Sequence, residues 1–210
     1  MRNIIVSLSI SFLIACGKAN ALPMDNLSFE NSLTGWYGEG NITTSTNMYS
    51  LLGKQYSATD GQFFVVLDSS GTFNTNDFDG TEGSILTTYV ELSAGDKLSF
   101  DWAFLTEDWM PYNDFSLFTA DKSYLLSDVA TVGSFGSSGW NNFTWAAEEA
   151  YNGNISFLVS NSVDTAVSSI LLVDNVQQSK IPEPDIPFLL AIGVIGIYFS
   201  KRKISPPICG

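Results

Sequence analysis

Apolar and polar residues alternate with a period of two over much of the chain. In Lys97–Phe104, Leu98, Phe100, Trp102 and Phe104 fall on one side and Lys97, Ser99, Asp101 and Ala103 on the other. That is the pattern of a strand with one face in a core. Runs rich in aromatic and β-branched residues recur at Gln62–Asp68, Ser84–Leu92, Lys97–Leu105, Asp114–Thr119, Tyr124–Val132, Trp140–Ala146, Asn154–Ser160 and Ser168–Val176. Clusters such as Asp68-Ser69-Ser70-Gly71, Ser93-Ala94-Gly95-Asp96 and Tyr151-Asn152-Gly153 punctuate them, and these residue types favour turns. No stretch between these runs carries a 3.6-residue period with caps, and Asp164–Ser169 is at most a turn. With no helix to cover a single sheet, the pattern predicts an all-β fold of two sheets packed face to face, with a jelly roll as the expected topology.

The two ends follow a different pattern. Arg2, an apolar run from Ile4 to Ile14 and the small-x-small triplet Ala19-Asn20-Ala21 read as a signal peptide over residues 1–21. Leu13-Ile14-Ala15-Cys16 also resembles a lipoprotein box, so cleavage after Ala21 and lipidation of Cys16 are both open. At the other end a polar linker, 177–185, precedes an apolar segment, 186–200, and a basic tail, 201–210. A helix over Ile186–Phe199 would be about 21 Å long, a marginal transmembrane span. Lys201, Arg202 and Lys203 directly after it predict that the tail stays in the cytoplasm, with the expected ectodomain, 22–176, outside.

Charge sharpens that division. The 210 residues include 22 acidic and 9 basic side chains and no histidine. Between residues 22 and 180 the only cations are Lys54, Lys97, Lys122 and Lys180. A surface so acidic excludes nucleic acid as a partner. The lack of histidine excludes Ser-His-Asp and Cys-His chemistry and His-ligated metals. With no cysteine between Leu22 and Lys180, the exported part has no disulfide.

Pro182-Glu183-Pro184, followed by a short apolar helix and the cations Lys201, Arg202 and Lys203, resembles the PEP-CTERM sorting signal of Gram-negative bacteria. The resemblance implies an exosortase-type membrane protease as partner and a destination at the cell surface or in an exopolysaccharide matrix. The tail Ile204–Gly210 is longer than that family's pattern. Asn26-Leu27-Ser28-Phe29-Glu30, continuing to Gly35-Trp36, is similar to the opening of galactose-binding-like jelly rolls, among them carbohydrate-binding modules, and Ile170–Val176 is similar to their last strand. By that resemblance the first and last strands are neighbours, and Glu30 and Asp174 hold a structural Ca²⁺.

Two clusters carry candidate chemistry. Asn74–Glu82 concentrates the oxygens of Asp77, Asp79 and Glu82 around Gly80, the donor type that Ca²⁺ takes; the same composition also serves turn geometry. Asp101, Glu107, Asp108 and Asp114 punctuate an aromatic segment. Trp102 and Phe104 alternate inward as core, whereas Trp109 and Tyr112 fall in a proline-containing loop, where aromatic faces can stack on a sugar. Paired carboxylates there would also suit glycoside hydrolysis, although no glycosidase motif is present. The expectation is a non-catalytic surface or matrix protein associated with exopolysaccharide, with a carbohydrate-binding module as the alternative and a two-carboxylate hydrolase behind it.

Overall fold

Alternation becomes paired strands across residues 26–181, the part of the chain that the computed structural model describes. The signal peptide with Cys16, the motif Pro182-Glu183-Pro184, the 186–200 helix and Lys201, Arg202 and Lys203 lie outside the described residues. Thirteen strands run in order: β1 (Tyr37–Glu39), β2 (Asn41–Ser45), β3 (Asn47–Tyr49), β4 (Gln55–Ser57), β5 (Phe64–Asp68), β6 (Phe73–Asn74), β7 (Glu82–Leu92), β8 (Lys97–Thr106), β9 (Phe115–Thr119), β10 (Ser123–Asp128), β11 (Asn141–Ala146), β12 (Tyr151–Ser160) and β13 (Ser169–Ser179). One sheet has the order β1-β7-β12-β9-β10, with β6 also on β7, and the other β11-β8-β13-β5-β2. Every pairing is antiparallel. The result is an all-β sandwich, with a strand order consistent with a jelly roll.

Between the sheets, Leu86, Val90, Phe118, Ile155 and Phe157 of the first meet Val65, Leu67, Leu98, Phe100, Phe104, Leu171 and Val173 of the second. Phe100 lies edge-on to Phe157 at 4.8 Å and 5.0 Å from Phe118. Each such side chain contributes about 1.5–3 kcal/mol when fully buried. Leu98, Phe100, Trp102 and Phe104 all face this core, as the alternation predicts. Residues 26–36 are a run of turns rather than a strand; Phe29 is fully buried, 5.2 Å from Trp36. The first-to-last adjacency is therefore a turn segment beside β13, through a single backbone bond from the Val176 N–H to Leu27 O.

Two local expectations are corrected. The face of β8 opposite the main core is not solvated near its end: Ala103 and Leu105 form a second core with Phe64, Val66 and Leu172. The β3–β4 hairpin covers it with Tyr56, and Trp140 closes it edge-on to Tyr56 and Phe64. The strand expected over Tyr124–Val132 stops at Asp128, because its carboxylate accepts the Thr131 N–H (2.8 Å) and caps a helical turn, Val129–Val132. Nearby, Thr106 N–H donates to Gly136 O and Ser138 N–H to Phe104 O, which fastens the Ser134–Gly139 segment to β8.

Candidate functional site

β8 ends at Thr106, and the loop to β9 is built on two buried carboxylates. Asp108 and Asp114 are 2% and 1% exposed. Asp114 accepts the Ser162 N–H (2.9 Å) on one oxygen and the Ser169 hydroxyl (2.7 Å) on the other. Asp108 accepts the Trp109 N–H (2.7 Å), while its own N–H donates to Thr106 Oγ1 (2.9 Å). Burial pushes the Asp114 carboxyl up to about 6, the bonds from Ser169 and Ser162 opposing it and the charges of Asp108 and Asp164 reinforcing it. Burial also raises Asp108. These groups anchor the loop from beneath.

Above them the loop presents an aromatic patch. Trp109 is 42% exposed and Met110 52%. The Trp109 ring stands edge-on to Tyr112 at 5.9 Å and tilted against Phe135 at 5.6 Å. Backbone bonds hold the three together, Tyr112 N–H donating to Trp109 O (3.0 Å) and Phe135 N–H to Asp108 O (2.9 Å). Trp109 and Tyr112 are the two residues that sequence reasoning singled out. Phe135 escaped it because it sits in a Gly/Ser run, and only the pairing of that run with β8 brings it to the loop.

Asn113 continues from this loop into a groove of about 320 Å³ on the outer face of the six-stranded sheet. Its floor is Phe115, Leu117 and Leu125 with Phe78, and Asp79, Asn113, Asp128 and Ser162 form its rim. Asp79 is thus one of the predicted cation ligands, placed beside an apolar surface. Asp77 is exposed on the one-turn 3-10 helix Asn76–Phe78, and Glu82 opens β7 opposite Asn74.

Glu30 and Asp174 do converge, on the loop between β4 and β5. Glu30 Oε1 accepts the N–H groups of Gln62 (2.7 Å) and Phe63 (2.8 Å). One oxygen of Asp174 accepts Thr59 N–H (2.6 Å) and Asp60 N–H (3.0 Å), and the other accepts Asn175 N–H (2.7 Å). Burial raises the Asp174 carboxyl, with these bonds opposing it. Among the described residues, no group of three or more carboxylates or thiols is placed to hold a metal ion.

Of the carboxylates considered for hydrolysis, Asp101 stands apart from Asp114. Asp101 lies opposite Asp174 in the β8–β13 ladder, whereas Asp114 bonds Ser169, which is opposite Thr106. That offset along β8 is about 16 Å, outside the roughly 5–10 Å that a glycosidase pair requires. Burial raises Asp101, but bonds from Asn142, Asn175 and Thr59 outweigh it and hold the carboxyl below its ordinary value. Glu107 is exposed.

No protein-family model matches the chain, and no curated protein matches it. Among solved structures, the carbohydrate-binding module TmCBM61 in complex with β-1,4-galactotriose is similar over 75% of this chain and 97% of that one, with 16% identity and a TM-score of 0.44. The K3 cleaved adhesin domain of Lys-gingipain from Porphyromonas gingivalis is 15% identical over 73% of this chain and 97% of that one, at a TM-score of 0.44. The N-terminal cellulose-binding domain of Cellulomonas fimi β-1,4-glucanase C is 13% identical over 78% of this chain and 100% of that one, at a TM-score of 0.37. Likeness at this level assigns neither ligand nor activity to this chain.

Proposed function

We infer that the chain is an exported, non-catalytic carbohydrate-binding protein whose sandwich contacts glycan through Trp109, Tyr112 and Phe135. One observation carries this reading: an indole held 42% exposed on a loop whose base is fixed by buried hydrogen bonds. An aromatic face left in water costs stability unless it packs on something. A pyranose ring offers a C–H face of matching size, and a loop already ordered loses little entropy on binding. The distance of Asp101 from Asp114 and the burial of Asp108 and Asp114 support binding without hydrolysis. Glycan-array binding by the wild-type chain that falls about tenfold in Trp109→Ala is the expected result; equal binding by both proteins would refute the role of the loop.

Export and sorting belong to the same reading. The signal peptide, Pro182-Glu183-Pro184 and the cations Lys201, Arg202 and Lys203 support delivery by an exosortase-type protease to the surface or to an exopolysaccharide matrix. Cell fractionation is expected to find the sandwich outside the cytoplasm, and an intact cytoplasmic protein would contradict it.

A further inference from the structure

We propose a second carbohydrate site beside the Trp109 loop: the groove on the outer face of the six-stranded sheet, which accepts a pyranose carrying no acid group. Its floor follows from strand alternation. Along β9, Ser116 and Phe118 turn inward, Phe118 into the main core, so Phe115 and Leu117 turn outward. Leu117 is paired with Leu125 of β10, which is 58% exposed despite being a large apolar side chain. Phe78 reaches the groove from the 75–81 segment. That segment is clamped to the sheet, because Thr75 Oγ1 lies 2.6 Å from Ser160 Oγ and a Cβ on Gly80 would come within 2.0 Å of the same atom.

One side of the rim is equally fixed. Asn113 donates to Asp128 (3.1 Å) and accepts the Ala130 N–H (2.8 Å), so this amide–carboxylate wall is set before any ligand arrives. Bonds from Thr131 and Asn113 outweigh burial and keep the Asp128 carboxyl below its ordinary value, hence charged. Asp79, also in the lining, sits at φ 64 and is exposed. An apolar floor with hydrogen-bonding groups at its edge matches the two kinds of surface on a sugar ring, and the volume of about 320 Å³ is that of a small-ligand cleft. Two carboxylates and, among the described residues, no lysine in the lining select against uronic acids and sulfated sugars.

This site shares a ligand class and the loop residue Asn113 with the reading above, but none of its aromatic contacts, and the two fail separately. The full-length chain is titrated calorimetrically with neutral hexose oligosaccharides and with oligogalacturonate. In Trp109→Ala, residual neutral-sugar binding is expected, weakened at least about tenfold when Leu125→Asp is added. Asp79→Asn, a milder change, is expected to weaken that residual binding and to ease the entry of oligogalacturonate. Abolition of all binding by Trp109→Ala alone would overturn the groove and leave the loop standing. Residual binding unaffected by Leu125→Asp and Asp79→Asn, or oligogalacturonate bound as tightly as the neutral sugar, would also overturn it. Loss of binding in the groove variants alone, with Trp109→Ala silent, would uphold the groove and refute the loop.

Discussion

At the scale of single residues, Asp114 is the most informative group, because its environment sets a measurable pH dependence. Its carboxyl is displaced upward to about 6 in the fold from an ordinary 3.8, so folding favours the neutral acid. Stability from this group is full below about pH 4 and is lost as the pH rises through 6, on the order of 3 kcal/mol in all. Melting temperatures of wild type and Asp114→Asn between pH 4 and 7 should therefore show wild type losing ground to the variant as pH rises. The opposite contributions of Asp101 and Asp128 are common to both proteins and cancel. A pH-independent difference would exclude a displaced Asp114. Gly61 offers a second test: it sits at φ +65, and a Cβ there would fall 2.3 Å from Glu30 Oε1. Gly61→Ala should cost about 1–3 kcal/mol, read as a lowered denaturation midpoint, by breaking the two N–H bonds that Glu30 accepts from the β4–β5 loop. Trp109 and Tyr112 were legible in sequence because aromatics in a proline-bearing loop have no strand to bury them. The burial of Asp114 was not, since it depends on Ser162 and Ser169, which come from distant parts of the chain.

Among the elements, long strands announced themselves and short ones did not. β7, β8, β12 and β13 each carry ten or eleven residues, enough turns of the two-residue period to read. β1, β3 and β4 have three residues each, too few for any alternation, and so the β3–β4 hairpin and the core beneath it were missed. The clue lay in β8 itself, where Ala103 and Leu105 break the polar side of the alternation. That hairpin is held by side chains: Tyr56 is fully buried and its hydroxyl accepts the Gly139 N–H (3.2 Å), while Trp140 Nε1–H donates to Ser57 O (3.0 Å). Tyr56→Ala should destabilise the protein by about 3–5 kcal/mol, and hydrogen exchange should report faster opening of 47–57 than of the main-core strands. Uniform protection in the variant would show that the hairpin does not depend on this anchor.

At the scale of the whole molecule, charge is divided unevenly along the chain. Cations gather where the ends of the chain would meet a membrane, at Arg2 and at Lys201, Arg202 and Lys203, while all but two of the 22 acidic residues lie between 22 and 180. The acidic sandwich resists self-association, and its exposed large apolar side chains include Trp109, Met110 and Phe135 at the loop and Leu125 on the neighbouring sheet face, with others such as Tyr37, Leu52 and Tyr89 elsewhere. An acidic domain that presents apolar rings suits an uncharged polymer better than a polyanion. Calorimetric titration of the full-length chain with neutral hexose oligosaccharides tests this account most directly. Saturable binding that Trp109→Ala weakens about tenfold at the loop site is the predicted result; no heat of binding from any neutral sugar, or identical isotherms for the two proteins, would contradict it.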